Sequence, residues 1–276
     1  METDTLAKVI ILSCAILAVW TSTVRAQSGD AGMNYTARAV VTGSDERNRP
    51  LGFRLCFEDV LIKSSGDPSI LDDNRVEALA SNAGQLVAEF SYRDRLEGIP
   101  KHDDQGTYDR PFFFTCRFDP NKIDDVLRLL GRKPWLGSRP RLAMLLVVRG
   151  RKDDAILTSD GAFDADMREA LANGASRYGM AVSLPSAKTL QSIGMTAQTA
   201  SNASEGKLAR IAVLSDGDVP LFGFLDWSDS LGWTATWNLD VAGQHHHWTV
   251  AGVNYDEAFR NALRGAAKVL SGNGEP

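Results

Sequence analysis

The chain has 276 residues, with 30 Lys plus Arg against 35 Asp plus Glu, a formal net charge of −5 and 43% apolar residues. That mild acidity gives no broad electrostatic footprint for nucleic acid or anionic lipid, so no nucleic-acid partner is expected. The apolar content is ample for a core at this length.

Residues 1–26 read as an export signal. Val9 to Trp20 is an apolar run shorter than the about 20 residues a spanning anchor needs, and Val24-Arg25-Ala26 supplies small or β-branched residues for cleavage. Glu2 and Asp4 beside Lys8 are atypical of such a segment, which leaves an uncleaved inner-membrane anchor as the alternative. The mature chain is expected to be periplasmic or secreted, without a transmembrane segment. Ile11-Leu-Ser-Cys14 resembles a lipidation site, but the apolar run continues past Cys14, which argues against it. Cleavage near Ala26 removes two charges of each sign and leaves Cys56 and Cys116 as the remaining thiols.

Tyr35–Val41 alternates as a first strand ending at Gly43-Ser44. Pro50 opens a helix on Phe53, Cys56, Phe57, Val60 and Leu61 that closes at Lys63 and Gly66. A second helix is expected on Val76, Leu79, Ala80, Ala83, Leu86, Val87 and Phe90, followed by a charged loop from Arg93 to Arg110. Phe112, Phe114, Cys116 and Phe118 share one side of a strand, with Thr115 and Arg117 on the other, before a helix over Ile123–Leu130 capped by Asp119 or Asn121. Cys56 and Cys116 thus fall on apolar faces. They either form a disulfide or stand as two small buried hydrophobes.

Trp135 and the Gly137-Ser-Arg-Pro140 turn read as a joint leading into Leu142–Val148, an apolar run without alternation and so a strand buried on both faces. A helix over Asp164–Tyr178 and a strand over Met180–Leu184 complete a βαβ unit with parallel pairing. Lys188–Gly206 carries a weak short helix, and another helix is expected near Glu205–Leu214. Val219–Trp227, Gly232–Leu239 and Trp248–Gly252 form an antiparallel meander, and Asn254 with Glu257 caps a terminal amphipathic helix. The expected fold is mixed α/β (α+β), with two packed subdomains at 27–136 and 137–276. The second holds the βαβ unit and a meander covered by the last helix.

Common nucleotide-binding, zinc-protease, nucleophile-elbow and paired-cysteine spacings are missing. His245-His-His247 is the sharpest local feature: on a strand, His245 and His247 share a face with imidazoles able to hold Zn²⁺ or Cu²⁺, whereas no Cys or spaced acidic residue completes the shell, which favours a polar hairpin tip. Trp227, Trp233, Trp237 and Trp248 crowd the meander and either bind a peptide or glycan or pack beneath the final helix, which needs a surface to cover. The pairs Asp72-Asp73, Asp103-Asp104, Asp124-Asp125 and Asp153-Asp154 sit at helix starts or in loops, where solvation and helix dipoles account for them. Asn34-Tyr-Thr36 and Asn202-Ala-Ser204 have the form of glycosylation sequons, which matter only in a eukaryotic secretory pathway.

Asp59-Val-Leu-Ile-Lys-Ser-Ser-Gly-Asp-Pro68, Val87-Ala-Glu-Phe-Ser-Tyr92, Phe118-Asp-Pro120, Trp135-Leu-Gly-Ser-Arg-Pro140, Met167 to Pro185 with its Tyr178–Pro185 ending, and Gly232–Leu239 occur in that order and spacing. In this the chain resembles the bacterial domain-of-unknown-function family numbered two thousand and sixty-six. The resemblance implies an exported proteobacterial protein with no catalytic residues to carry over. The second half also loosely resembles the amino-terminal α/β domain of the Tol system's periplasmic propeller protein. The resulting expectation is a non-catalytic envelope protein that binds a protein, peptide or glycan without a cofactor, through the meander or the cleft between subdomains. The rival is a metal-dependent or other hydrolase using His245 and His247.

Overall fold

A computed structural model describes residues 34–99, 110–150, 153–161 and 164–276. The export segment, Cys14 and the Asp103-Asp104 pair lie outside these residues. Among the described residues, two sheets and eight helices build a mixed α/β fold, as the periodicities indicate.

The first sheet has the order β1-β3-β2, with β1 at Thr36–Thr42, β2 at Val87–Asp94 and β3 at Pro111–Phe118, all antiparallel. Helix α1, Arg49–Ser65, packs on its inner face, where Phe114, Cys116 and Phe118 meet Cys56, Phe57 and Val60, all fully buried. The single helix expected over Val76–Phe90 is three pieces: α2 at Arg75–Ala80, a 3-10 turn at Ala83–Leu86, and β2. The helical spacing holds only as far as Ala83. Beyond it Val87, Phe90 and Tyr92 suit a pleated strand, and Phe90 and Tyr92 lie 5.6 and 4.7 Å, centroid to centroid, from the Phe114 ring on β3. Helix α3, Pro120–Leu129, is capped by Asp119, which accepts from Asn121 N at 2.9 Å.

The second sheet has the order β5-β4-β7-β8-β9 with β6 also against β4; the ranges are Leu142–Arg149 for β4, Asp154–Ile156 for β5, Val182–Ser183 for β6, Val219–Ser228 for β7, Gly232–Val241 for β8 and Gln244–Val253 for β9. Strand β4 pairs in parallel with β6 and β7, and Leu142–Val148 is buried throughout. On one face lie α5 (Ala187–Ser192), α6 (Ala197–Ala200) and α7 (Glu205–Leu214), which cover Leu145 and Val147. On the other, α4 (Ala165–Arg177) and α8 (Tyr255–Leu270) continue one apolar core from the second sheet into the first. Asn254 caps α8 by accepting from Glu257 N at 2.8 Å. No helix among the described residues is long and apolar enough to cross a membrane.

The two sheets are joined at the C-terminus of α1. A helix end leaves its last four carbonyls without intrahelical partners, and here the neighbouring segments supply them. Arg139 donates to Lys63 O, Trp135 N donates to Ser64 O at 2.7 Å, Asn273 Nδ2 to Ser65 O at 2.9 Å, and Ser271 Oγ to Gly66 O at 3.1 Å. The Trp135–Pro140 crossover is thus held by backbone caps, reinforced by the Arg139 guanidinium 4.3 Å from the Trp135 ring centre.

Candidate functional site

The four tryptophans share the face of the meander that α8 covers. Trp237 is fully buried, and Trp227, Trp233 and Trp248 are half-buried. Trp227 and Trp233 meet edge to face at 5.1 Å, while Trp248 stands directly opposite Trp237 on the adjacent strand.

The third meander strand begins at Gln244, four residues earlier than expected, so the histidines belong to the strand and not to a hairpin tip. Their positions are explained by cross-strand pairing with β8. His245 Nδ1 lies 2.6 Å from Asp240 Oδ1, and His247 Nδ1 2.9 Å from Asn238 Oδ1. His246 points the other way, is buried, and meets Glu275 at 2.9 Å. Among the described residues no group of three or more His, Cys, Asp or Glu could hold a metal.

Cys56 and Cys116 are both buried free thiols. Cys56 Sγ sits 3.7 Å from Ala37 O and 3.6 Å from Phe114 O. A hydrogen bond with Cys56 and burial together push the Cys116 thiol well above the usual thiol range.

Sequence reasoning expected a cleft between the subdomains but named none of its residues, which lie at the junction of the two sheets. Two clefts of about 640 and 760 Å³ open on either side of Lys63 and share Ser176 of α4. The smaller runs toward Arg139, Arg141, Asp216 and Asp218; there Arg141 is tied to Asp216 by an ion pair and its N–H donates to Asp218 at 2.7 Å. The larger is a groove between β1 and the polar stripe of α4 formed by Glu169, Asn173, Ser176 and Arg177. Its α1 wall holds Asp59, paired with Arg177 at 2.8 Å, and Lys63, whose ammonium donates to Thr36 O at 2.7 Å.

Both charged groups on that wall stand in an environment that opposes their charge. Burial raises the Asp59 carboxyl above its usual value despite Arg177, and burial lowers the Lys63 ammonium below its own despite Asp59. Such a pair in a cleft marks a functional-site candidate. Because its folded-state pKa is raised, Asp59 contributes stability that is fully present below the ordinary Asp value of about 3.9 and is lost as pH rises through the folded value. Asp59→Asn is therefore expected to compare worst with the parent near pH 4, and to gain on it as pH rises toward neutral. Urea denaturation of both proteins across that range checks this; a stability difference that does not move with pH would contradict it.

The groove continues onto the outer face of the first sheet. Phe113 emerges there, and Arg38, Arg93 and Arg95 place their guanidiniums 4.4, 5.1 and 5.2 Å from its ring centre. Among the described residues none of the three has a carboxylate partner, unlike neighbouring Arg117, which pairs with Glu89 at 2.7 Å. The signal in the sequence was Phe113 itself, which shares the strand side of Thr115 and Arg117 and breaks an otherwise polar face.

Residues 31–136 match a family described as a domain of unknown function, DUF8605. This overturns the resemblance to family two thousand and sixty-six. The short motifs behind that resemblance sit at a helix end, on a strand and at the crossover, places where the fold alone favours such residues, so their order did not identify a family. No curated protein and no solved structure matches the chain, so the likeness to the Tol propeller protein's domain has no support from a structural match.

Proposed function

We propose that the chain is an exported, non-catalytic, envelope-associated protein that holds an acidic segment of a protein partner in the groove between β1 and α4. The observation that carries this reading is the group of three arginines around Phe113 at the groove's edge, without carboxylate partners among the described residues. A chain of net charge −5 can still attract an anion there. At physiological ionic strength charges are screened beyond about 8 Å, so the local cluster outweighs distant acidic residues. Arginine on an aromatic face also keeps its donors directed at carboxylates while its flat surface stays packed.

Poly-glutamate is expected to bind the mature chain, to weaken as salt is raised, and to bind at least tenfold more weakly to the Arg38→Glu/Arg95→Glu double variant. Equal binding by parent and variant, or binding of poly-lysine to the parent, would contradict the reading. Export is tested separately by amino-terminal sequencing after expression in a bacterium, with Gln27 expected first and an intact Met1 counting against it.

A further inference from the structure

The backbone beside the groove is an unfinished sheet edge. In the β1–β3 pair, Phe118 N donates to Tyr35 O at 2.9 Å and Gly43 N to Arg110 O at 2.8 Å. Hydrogen-bonded pairs alternate along an antiparallel ladder, so Ala37, Ala39 and Val41 also bond inward to β3, and Thr36, Arg38, Val40 and Thr42 turn their N–H and C=O groups outward. The two ends of that outer row are closed by side chains. Lys63 Nζ donates to Thr36 O at 2.7 Å, and Asn48 Nδ2 to Thr42 O at 2.6 Å. Between these caps, the N–H and C=O of Arg38 and Val40 make no hydrogen bond with any described residue.

Natural edge strands are usually blocked by a charge, a proline, a bulge or a covering element, because an open row of backbone groups recruits another strand. Here the ends carry caps and the middle stays open. That middle faces the 760 Å³ groove, and Val40 leaves 47% of its surface exposed beside Phe113, its directly opposed neighbour on β3.

We infer that β1 accepts an extended, acidic peptide segment of a protein partner as a fourth strand, through the backbone groups of Arg38 and Val40. This rests on the binding role proposed above and adds its geometry. Backbone hydrogen bonds supply the affinity and the alternating side chains the selectivity, the general logic of strand addition. On the side of the sheet carrying Phe113, carboxylates of the added strand meet Arg38 and, beyond it, Arg93 and Arg95. The residue two positions along that strand lies on the same face and packs its methylenes against Val40, while the intervening aliphatic residues turn to the opposite face. The caps at Thr36 and Thr42 set the length of the added strand at about five residues, since each residue of an extended strand advances about 3.4 Å.

The test uses fluorescent eight-residue peptides alternating Glu with Val, Ile or Thr, with Lys-for-Glu peptides as controls, read by polarisation and by residue-resolved amide exchange of the mature chain. In the free protein the Arg38 and Val40 amides should exchange fast between slowly exchanging Ala37, Ala39 and Val41. Binding should slow exchange at both by at least tenfold. Val40→Pro removes only an outward donor, so it should weaken binding at least tenfold and leave the inner ladder protected; Arg38→Glu should weaken it similarly. Should Val40→Pro fail to fold, exchange in the parent decides alone. Acidic peptides that bind and respond to Arg38→Glu while Arg38 and Val40 stay unprotected would overturn strand addition and leave the groove reading standing. No binding of any acidic peptide, or equal binding of the Lys controls, would overturn both.

Discussion

Trp237→Ala is expected to destabilise the folded chain by about 3–5 kcal/mol, read as a lower urea midpoint at an unchanged slope. Its side chain is fully buried between β7 and α8, and a methyl group built on Gly223 would lie 2.2 Å from its Cζ3 and 2.4 Å from its Cε3. Gly223 therefore belongs to the same packing unit: only a residue without a side chain leaves room for the indole. Trp237→Phe should cost far less than alanine, because the indole N–H has no hydrogen-bond partner among the described residues to lose. Gly223→Ala alone should cost about 1–3 kcal/mol by overpacking, and combined with Trp237→Leu the penalty should fall short of the sum by about 0.5–3 kcal/mol. Additive costs would mean the two positions do not share a space. The result bears on function as well as stability, since a ring needed to fill the core has no face left for a ligand.

The placement of Trp237 was legible in the sequence because an amphipathic helix after Asn254 required an apolar surface, and the meander was the nearest one. The doubly buried β4 was legible for a similar reason: Leu142–Val148 has no polar side to offer water. The boundary of α1 followed from Pro50 and Gly66, whose backbone preferences act locally. The strand at Val87–Asp94 was not legible. Val87 and Phe90 extend the helical spacing of Val76–Ala83 by coincidence, and only pairing with β3 decides between the two structures. The arginine group failed to show for a related reason. Arg38, Phe113, Arg93 and Arg95 come from β1, from β3, and from the end of β2 with the turn after it, and neither periodicity nor spacing records which strands become neighbours. The backbone caps on α1 are less visible still: Trp135 marks a joint without showing what it caps, and Ser271 and Asn273 look unremarkable until a remote helix end lies beside them. The histidines show the converse. A conspicuous tract dissolves into ordinary cross-strand pairs once register places Asp240 and Asn238 opposite His245 and His247.

Gly66→Ala should be the most damaging small substitution at the joint, at about 2–5 kcal/mol. Gly66 has φ = 71°, a left-handed conformation that costs an L-residue about 1–2 kcal/mol. An added methyl would also lie 2.4 Å from Ser271 Cβ and 2.7 Å from Trp135 Cε3, an overpacking penalty of about 1–3 kcal/mol. Combining it with Ser271→Gly separates these contributions. The second change removes the closest clash together with the Ser271 Oγ bond to Gly66 O, so it should recover only part of the steric loss, while the backbone cost and the contact with Trp135 persist. The loss should be local before it is global, because Trp135 N donates to Ser64 O and Ser271 Oγ to Gly66 O just where the methyl pushes. Amide exchange at Trp135 should accelerate in Gly66→Ala under conditions where the inner ladder of β1 remains protected. A variant as stable as the parent, with Trp135 exchanging at the parental rate, would show that the α1 terminus does not hold the two sheets together. The candidate groove would then lose a fixed wall, since Lys63 on its α1 side is positioned from this same helix end.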